Sequence, residues 1–209
     1  MHPPAAGLDH VRFDALAVGQ RSHYLYFLCT HYGDPNQGTQ TYEPDTLMLV
    51  VAGQEGDRFR IEESLTAGSD SRHGAGHVSD PDTTYTYWMQ STGDSLFVLD
   101  PEGSSSLGSR IFLAGRQRFP LAPVTGPLTT FTGWQPNLPY HEDLVTAYAS
   151  NHVQFGRSFD RLNILQDNRD MQFDAPGYLF VYAGDHGLVR WAWYSWWTGE
   201  GTGWDLLPE

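Results

Sequence analysis

Short runs in which apolar and polar residues alternate recur along most of the chain, and clusters of Gly, Pro, Asp and Ser separate them. Successive side chains of a β-strand point to opposite faces of a sheet, so a period of two predicts strands that bury one face. About ten such strands predict an all-β fold, either an antiparallel β-barrel or a strongly curved sheet. The clearest runs are SHYLYFLCT (22–30), TLMLVVAG (46–53), DRFRIEES (57–64), TTYTYWMQ (83–90), SLFVLD (95–100), RIFLAG (110–115), PLTTFTGW (127–134), SFDRLNILQD (158–167) and GYLFVYAG (177–184).

Two features interrupt this pattern. In HEDLVTAYAS (141–150), Leu144, Val145 and Tyr148 have helical spacing, although the Thr, Val and Tyr content favours a strand equally. We therefore expect at most one short helix. A proline-rich stretch at about 118–139 would connect two halves, each small for a core of its own. The whole chain, 1–209, is therefore predicted to form a single β-barrel-like domain.

The stretch GLVRWAWYSWWTGEGTGWDL (187–206) concentrates aromatic residues near the end of the chain. As a strand it is aromatic on both faces, whereas an exposed face of indole rings would favour association. Three interpretations remain open: a face that fills the core, a face that lines a ligand cavity, or an exposed binding platform. The predicted first face holds Val189, Trp191, Trp193 and Trp197, and the second holds Leu188, Arg190, Ala192, Tyr194 and Trp196.

The glycines that follow, Gly199, Gly201 and Gly203, adopt backbone conformations that other residues avoid. They predict a reversal of the chain after the aromatic strand. Trp204 and Leu206 would then pack back onto the sheet as a final strand or cap.

Composition changes the list of possible partners. All 12 cationic residues are arginines, and 25 acidic residues give a formal net charge of −13. A strongly negative surface repels phosphate backbones and anionic lipid, so we expect no nucleic-acid partner. Lysine-free, Asp-rich composition is typical of some bacterial sources. The single Cys29 cannot form an internal disulfide and is predicted to be a small buried hydrophobe.

No apolar run has the length of a membrane span, and the first residues lack the basic and apolar segments of a signal peptide. We therefore expect a soluble, cytoplasmic protein. An exported mature form that has lost its leader is the alternative.

Histidines supply the candidate chemistry. His73 and His77 are candidate metal ligands in SRHGAGH, but two glycines between them favour a loop, so we expect no metal and no cofactor. His141, His152 and His186 are candidate general acid–base groups, each within reach of acidic residues in the sequence. Phosphate-binding, nucleophile-elbow and CxxC motifs are absent from the sequence.

The C-terminal third resembles uncharacterised bacterial β-barrel proteins of lipocalin-like, or calycin-like, kind. The pattern that carries the resemblance is GYLFVYAGDHGLVR, an aromatic strand followed by a short Gly-bounded turn and a return strand. The resemblance as a whole covers about a quarter of the chain. It implies a barrel-like fold and assigns no functional residue.

Together these observations favour a protein that holds a small apolar or aromatic molecule inside the sheet. The first alternative is a hydrolase or isomerase that uses a His–carboxylate pair at the mouth of the barrel. The second is a structural or interaction module without a ligand. The predicted ligand-binding residues are Trp191, Trp193, Trp197, Tyr85, Tyr87, Tyr24, Tyr26 and Arg190.

Overall fold

All regular elements of the described residues are β-strands, which confirms the all-β prediction. None of these residues belongs to a helix long and apolar enough to cross a membrane. The computed structural model describes residues 16–30, 39–66, 84–92, 94–99, 118–121, 128–132, 135–138, 142–150, 152–169, 177–184, 186–195 and 198–208. The predicted strand at 110–115 lies outside these ranges.

Sixteen strands occur in the described residues, more than the ten expected from the pattern. The first eight are β1 (Arg21–Thr30), β2 (Gln40–Glu55), β3 (Arg58–Thr66), β4 (Thr84–Thr92), β5 (Ser95–Leu99), β6 (Arg118–Pro120), β7 (Leu128–Thr129) and β8 (Phe131–Thr132). The other eight are β9 (Gln135–Pro136), β10 (Leu144–Ala149), β11 (His152–Gln154), β12 (Arg157–Phe159), β13 (Leu162–Asp167), β14 (Gly177–Ala183), β15 (Gly187–Ser195) and β16 (Glu200–Leu206).

The count differs because some apolar runs contain turns. Phe155 has a positive φ of 49°, and with Gly156 it reverses the chain between β11 and β12. The window with helical spacing is instead strand β10, where Val145, Ala147 and Ala149 are buried in alternation. The strand periodicity, rather than the helical one, describes this segment.

Twelve strands form one sheet in the order β6-β5-β4-β3-β2-β1-β16-β15-β14-β13-β10-β7. Each neighbouring pair is antiparallel except β10 and β7. The first and last of the long strands meet in the middle, where Tyr24 of β1 pairs with Leu206 of β16. The sheet therefore consists of two meanders that join at this seam, one of β1–β6 and one of β10 and β13–β16, with the short β7 added beside β10.

The sheet is strongly curved, but its described strands do not close into a barrel. Strands β6 and β7 end the sheet and do not pair with each other, so the prediction of a closed barrel is wrong for the described residues. Phe119 of β6 nevertheless contacts Tyr182 of β14, with ring centroids 4.6 Å apart. Eight strand spacings separate these two strands, about 38 Å in a flat sheet. The sheet must therefore bend round until its inner surfaces touch.

We call the concave side the inner face and the opposite side the outer face. Residues directly opposite each other in a ladder share a face. On this basis Phe119, Tyr182 and Tyr24 all lie on the inner face, together with the alternate buried residues of β2 to β5. The core fills this concave side.

A second layer covers the outer face of the C-terminal meander. The hairpin β11–β12 lies over β15 and β16, and the Gln154 side chain donates to the Val189 carbonyl at 3.3 Å and to the Leu206 carbonyl at 3.0 Å. Strands β13 to β15 are consequently buried on both faces. The aromatic strand has its second face covered by a neighbouring segment and not by solvent.

Two of the three C-terminal glycines do not form the predicted turn. Gly199 has a φ of +67° and lies in the turn before β16, whereas Gly201 and Gly203 lie inside that strand. A Cβ on Gly203 would lie only 2.2 Å from the backbone oxygen of Trp191 and 2.6 Å from the Phe27 ring. These glycines allow close packing on the outer face.

Candidate ligand-binding site

The predicted ligand-binding aromatics converge on the inner face as far as the structure describes them. Ladder partners place the tyrosines and tryptophans on the same side, since Tyr26 lies opposite Trp204 and Trp204 lies opposite Trp191. Trp193 and Tyr85 are half-buried, and the others are buried. Trp197 lies outside the described residues. The six that share the inner face are Tyr24, Tyr26, Tyr85, Tyr87, Trp191 and Trp193.

Arg190 lies on the outer face, away from these rings. Its guanidinium forms a buried ion pair with Asp205, at 2.5 Å from Nε to Oδ1, and lies 5.3 Å above the Phe27 ring. The Asp205 carboxylate also accepts from Gln40 at 2.9 Å and from the Tyr42 hydroxyl at 2.8 Å. Arg190 thus joins β15, β16, β1 and β2 beneath the outer layer.

Glu63 is one of the buried polar residues on the inner face, and the sequence analysis missed it. It is fully buried, neither carboxyl oxygen accepts a well-formed hydrogen bond from the described residues, and the Tyr87 hydroxyl is its weak hydrogen-bond partner. Burial raises the pKa of Glu63 to about 8, against a smaller lowering by the nearby Tyr87 hydroxyl. Continuing the alternation of β3 from Ile61 would have found it, because Glu63 occupies the next inward position.

Two tyrosines, Tyr24 and Tyr87, lie near this carboxyl, and a third, Tyr182, lies near those two. Tyr24 and Tyr87 each lie close enough to Glu63 for its charge to raise their pKa further above the ordinary value, beyond the larger effect of burial. In addition to burial, the charge of Tyr24 raises the pKa of Tyr182, and the charge of Tyr182 raises the pKa of Tyr87. The Tyr24 hydroxyl also donates to the Leu188 carbonyl at 3.0 Å. Four ionisable groups therefore meet inside an otherwise apolar region.

A small hollow lies beside this cluster at one end of the concave side. Its volume is about 20 Å³, enough for one water molecule. Leu49 and Ile61, the inner-face neighbours of Glu63, form part of its wall. The remaining described lining residues are Leu16, Gln20, Ser22, Tyr24, Val51, Met89, His186, Gly187 and Leu188.

A larger cleft shares Gln20, Ser22 and His186 with this hollow. Its volume is about 310 Å³, at the lower end of the range for ligand pockets. Its other described lining residues are Ala17, Arg21, His23, Arg157, Leu206, Leu207 and Pro208. The concave interior therefore opens towards the surface at the beginning of β1.

The two described histidine candidates both lie near the Phe159 ring, at centroid distances of 6.5 Å for His152 and 5.3 Å for His186. His186 lines both hollows, and none of the described lining residues is acidic. His152 is buried in the outer layer between the rings of Phe131 and Phe159, where burial and the positive charge of Arg190 lower its pKa to about 4. His73, His77 and His141 lie outside the described residues.

The described residues contain no group of three or more His, Cys, Asp or Glu side chains arranged to hold a metal ion. Cys29 is buried on the outer face, and burial raises the pKa of its thiol to about 12. This favours its interpretation as a small hydrophobe over a reactive nucleophile.

Comparison with known proteins does not assign a family: no protein-family model, no curated protein and no solved structure matches this chain. The lipocalin-like resemblance therefore stays a prediction. Any functional interpretation depends on the geometry of the concave side and its opening.

Proposed function

We propose that this protein binds a small molecule with an apolar or aromatic body on the concave side of its sheet, next to the Glu63 cluster. Glu63 is the observation that carries the proposal. A buried polar group without a partner costs about 1–3 kcal/mol, and well-packed cores rarely retain one. The pKa of about 8 keeps the Glu63 carboxyl protonated at neutral pH, so a ligand with a hydrogen-bond acceptor would supply the partner that its O–H lacks.

The surroundings support this choice of site. Ligand pockets are mostly apolar with a few convergent polar groups, and perturbed pKa values cluster at functional sites. Glu63, Tyr24 and Tyr87 are such groups, and Leu49, Ile61 and Met89 supply apolar surface around them. Because the hollow itself is small, the ligand must displace side chains of its lining in order to enter.

Titration with Nile red, a neutral apolar dye, tests the proposal. We expect saturable dye fluorescence together with quenching of the inner tryptophans. Val51→Phe fills the hollow and should weaken the dye's affinity, because Val51 lines it. Val50→Phe is the matched control, since Val50 points to the outer face of the same strand.

Circular dichroism and urea unfolding establish that both variants are folded, because overpacking costs about 1–3 kcal/mol. If the folded wild-type protein gives no saturable signal, the proposal is wrong. It is equally wrong if both valine variants weaken dye binding to the same extent.

A further inference from the structure

The cleft of about 310 Å³ at the beginning of β1 collects basic side chains. Four of its ten described lining residues are arginine or histidine, whereas the chain has 12 arginines and nine histidines in 209 residues. Basic residues are thus about fourfold enriched there. A cleft lined by basic residues is unexpected in a protein with a net charge of −13.

The four basic residues come from three separate segments. Arg21 and His23 are alternate residues of β1 and point to the same face, Arg157 begins β12, and His186 lies in the turn before β15. One side of the cleft is fixed by the backbone, because the Leu207 amide donates to the His23 carbonyl at 2.8 Å. The cleft is therefore formed by the tertiary fold.

Among the described residues, no carboxylate forms an ion pair with the arginines of the cleft. The ion pairs formed by the described residues join Arg60 to Glu62, Arg169 to Asp167 and Arg190 to Asp205. Arg21 and Arg157 take part in none of these pairs. The Arg157 guanidinium instead lies 5.5 Å above the Phe159 ring, a cation–π contact that positions it without neutralising its charge.

We propose that this cleft binds the oxyanion group, carboxylate or phosphate, of a small organic molecule. Arginine and histidine N–H groups form strong charge-assisted hydrogen bonds to such oxygens. The other side of the cleft is apolar, with Leu206, Leu207 and Pro208, and it accommodates a short organic group. This proposal goes beyond the apolar ligand site and does not depend on it.

Binding can be measured by NMR on ¹⁵N-labelled full-length protein. The probes are butyrate, phenyl phosphate and the neutral amide butyramide. We expect saturable shifts of the Arg21, His23, Arg157 and His186 signals with an oxyanion, at a Kd of about 1 mM or tighter. The amide should leave these signals in place. Comparing the two oxyanions identifies which group the cleft prefers.

Arg21→Gln and Arg157→Gln should each weaken oxyanion binding about tenfold. Arg58→Gln is the matched control, because Arg58 is an exposed arginine at the start of β3 that does not line the cleft. It should change the affinity less than about twofold. Both cleft variants should retain the wild-type Nile red titration, which separates this proposal from the first.

Three results would overturn the proposal: no saturable shift with either oxyanion, equal binding of butyramide, or equal weakening by Arg58→Gln. Circular dichroism of each variant excludes unfolding as the cause of a lost signal. A folded variant that keeps full oxyanion affinity argues directly against a role for its arginine.

Discussion

Replacing Glu63 with glutamine should stabilise the protein, and by an amount that depends on pH. In the unfolded chain this carboxyl titrates near its ordinary value of 4.5, and in the folded protein near 8. Between these values the folded state holds a proton that the unfolded state has lost. Stability therefore falls as pH rises through this interval and stays constant below it.

The shift sets the size of the effect. One pH unit of pKa difference corresponds to about 1.36 kcal/mol. The raised pKa of Glu63 therefore lowers the free energy of unfolding by about 3 kcal/mol at pH 7 and by about 5 kcal/mol above pH 8, relative to low pH. Glutamine has nearly the same shape as the protonated acid and does not ionise. The Glu63→Gln variant should thus match the wild type near pH 5 and exceed it in stability at pH 9.

Urea unfolding at several pH values between about 5 and 9 measures this difference, provided that both proteins unfold in a single transition. Glu62→Gln is the matched control, because Glu62 is the preceding residue of β3 and points to the outer face, with 41% of its side chain exposed. It removes the same charge without the burial. A Glu63→Gln effect of equal size at pH 5 and pH 9 would refute the reasoning.

Three further outcomes follow from the packing. Asp205→Asn should lower the free energy of unfolding by about 3–5 kcal/mol in urea titrations, because it leaves the buried Arg190 cation without its counter-charge. The control Glu62→Gln removes one partner of an exposed ion pair and should lower it by less than about 1 kcal/mol. Gly203→Ala should reduce thermal stability strongly, since its Cβ would collide with β15, while Gly53→Ala, with its nearest neighbouring atom 3.9 Å away, should be nearly neutral. The chain's single cysteine should react with a thiol reagent only as fast as the protein unfolds, which parallel unfolding and labelling rates would demonstrate.

Local alternation predicted most of the side chains that share a face, because that relation depends on neighbouring residues. The irregularity in the β14–β15 ladder is the exception: it places Leu188 opposite Tyr182 on the inner face, so the prediction that Leu188 shares the face of Arg190 is wrong. Trp191 and Trp193 lie on one face of β15, as their spacing indicates, and Tyr24 and Tyr26 do so on β1. Which strands become neighbours depends on distant residues. The pairing of β1 with β16, and hence the meeting of these two aromatic sets, has no local signature.

The candidate sites were harder to predict for the same reason. Arg21, Arg157 and His186 are far apart in the sequence and meet only in the folded sheet. Glu63 was within reach of the pattern, since it follows Ile61 at an inward position, but an acidic residue on an apolar face looks like an error in the periodicity. Gly203 was predicted to form a turn but lies inside β16. Close packing and turn formation both favour glycine, and the sequence alone does not distinguish them.

The central seam also governs how the protein is made. Tyr24 of β1 pairs with Leu206 of β16, so this edge of β1 cannot pair until the ribosome has synthesised the last strand. This takes about 10–40 s at ordinary rates of synthesis. During that interval the first meander has an unsatisfied row of backbone groups along its longest side, of the kind that recruits other extended chains. A nascent-chain holdase, or translation without pauses before the last strand, would be expected to raise the yield of native protein.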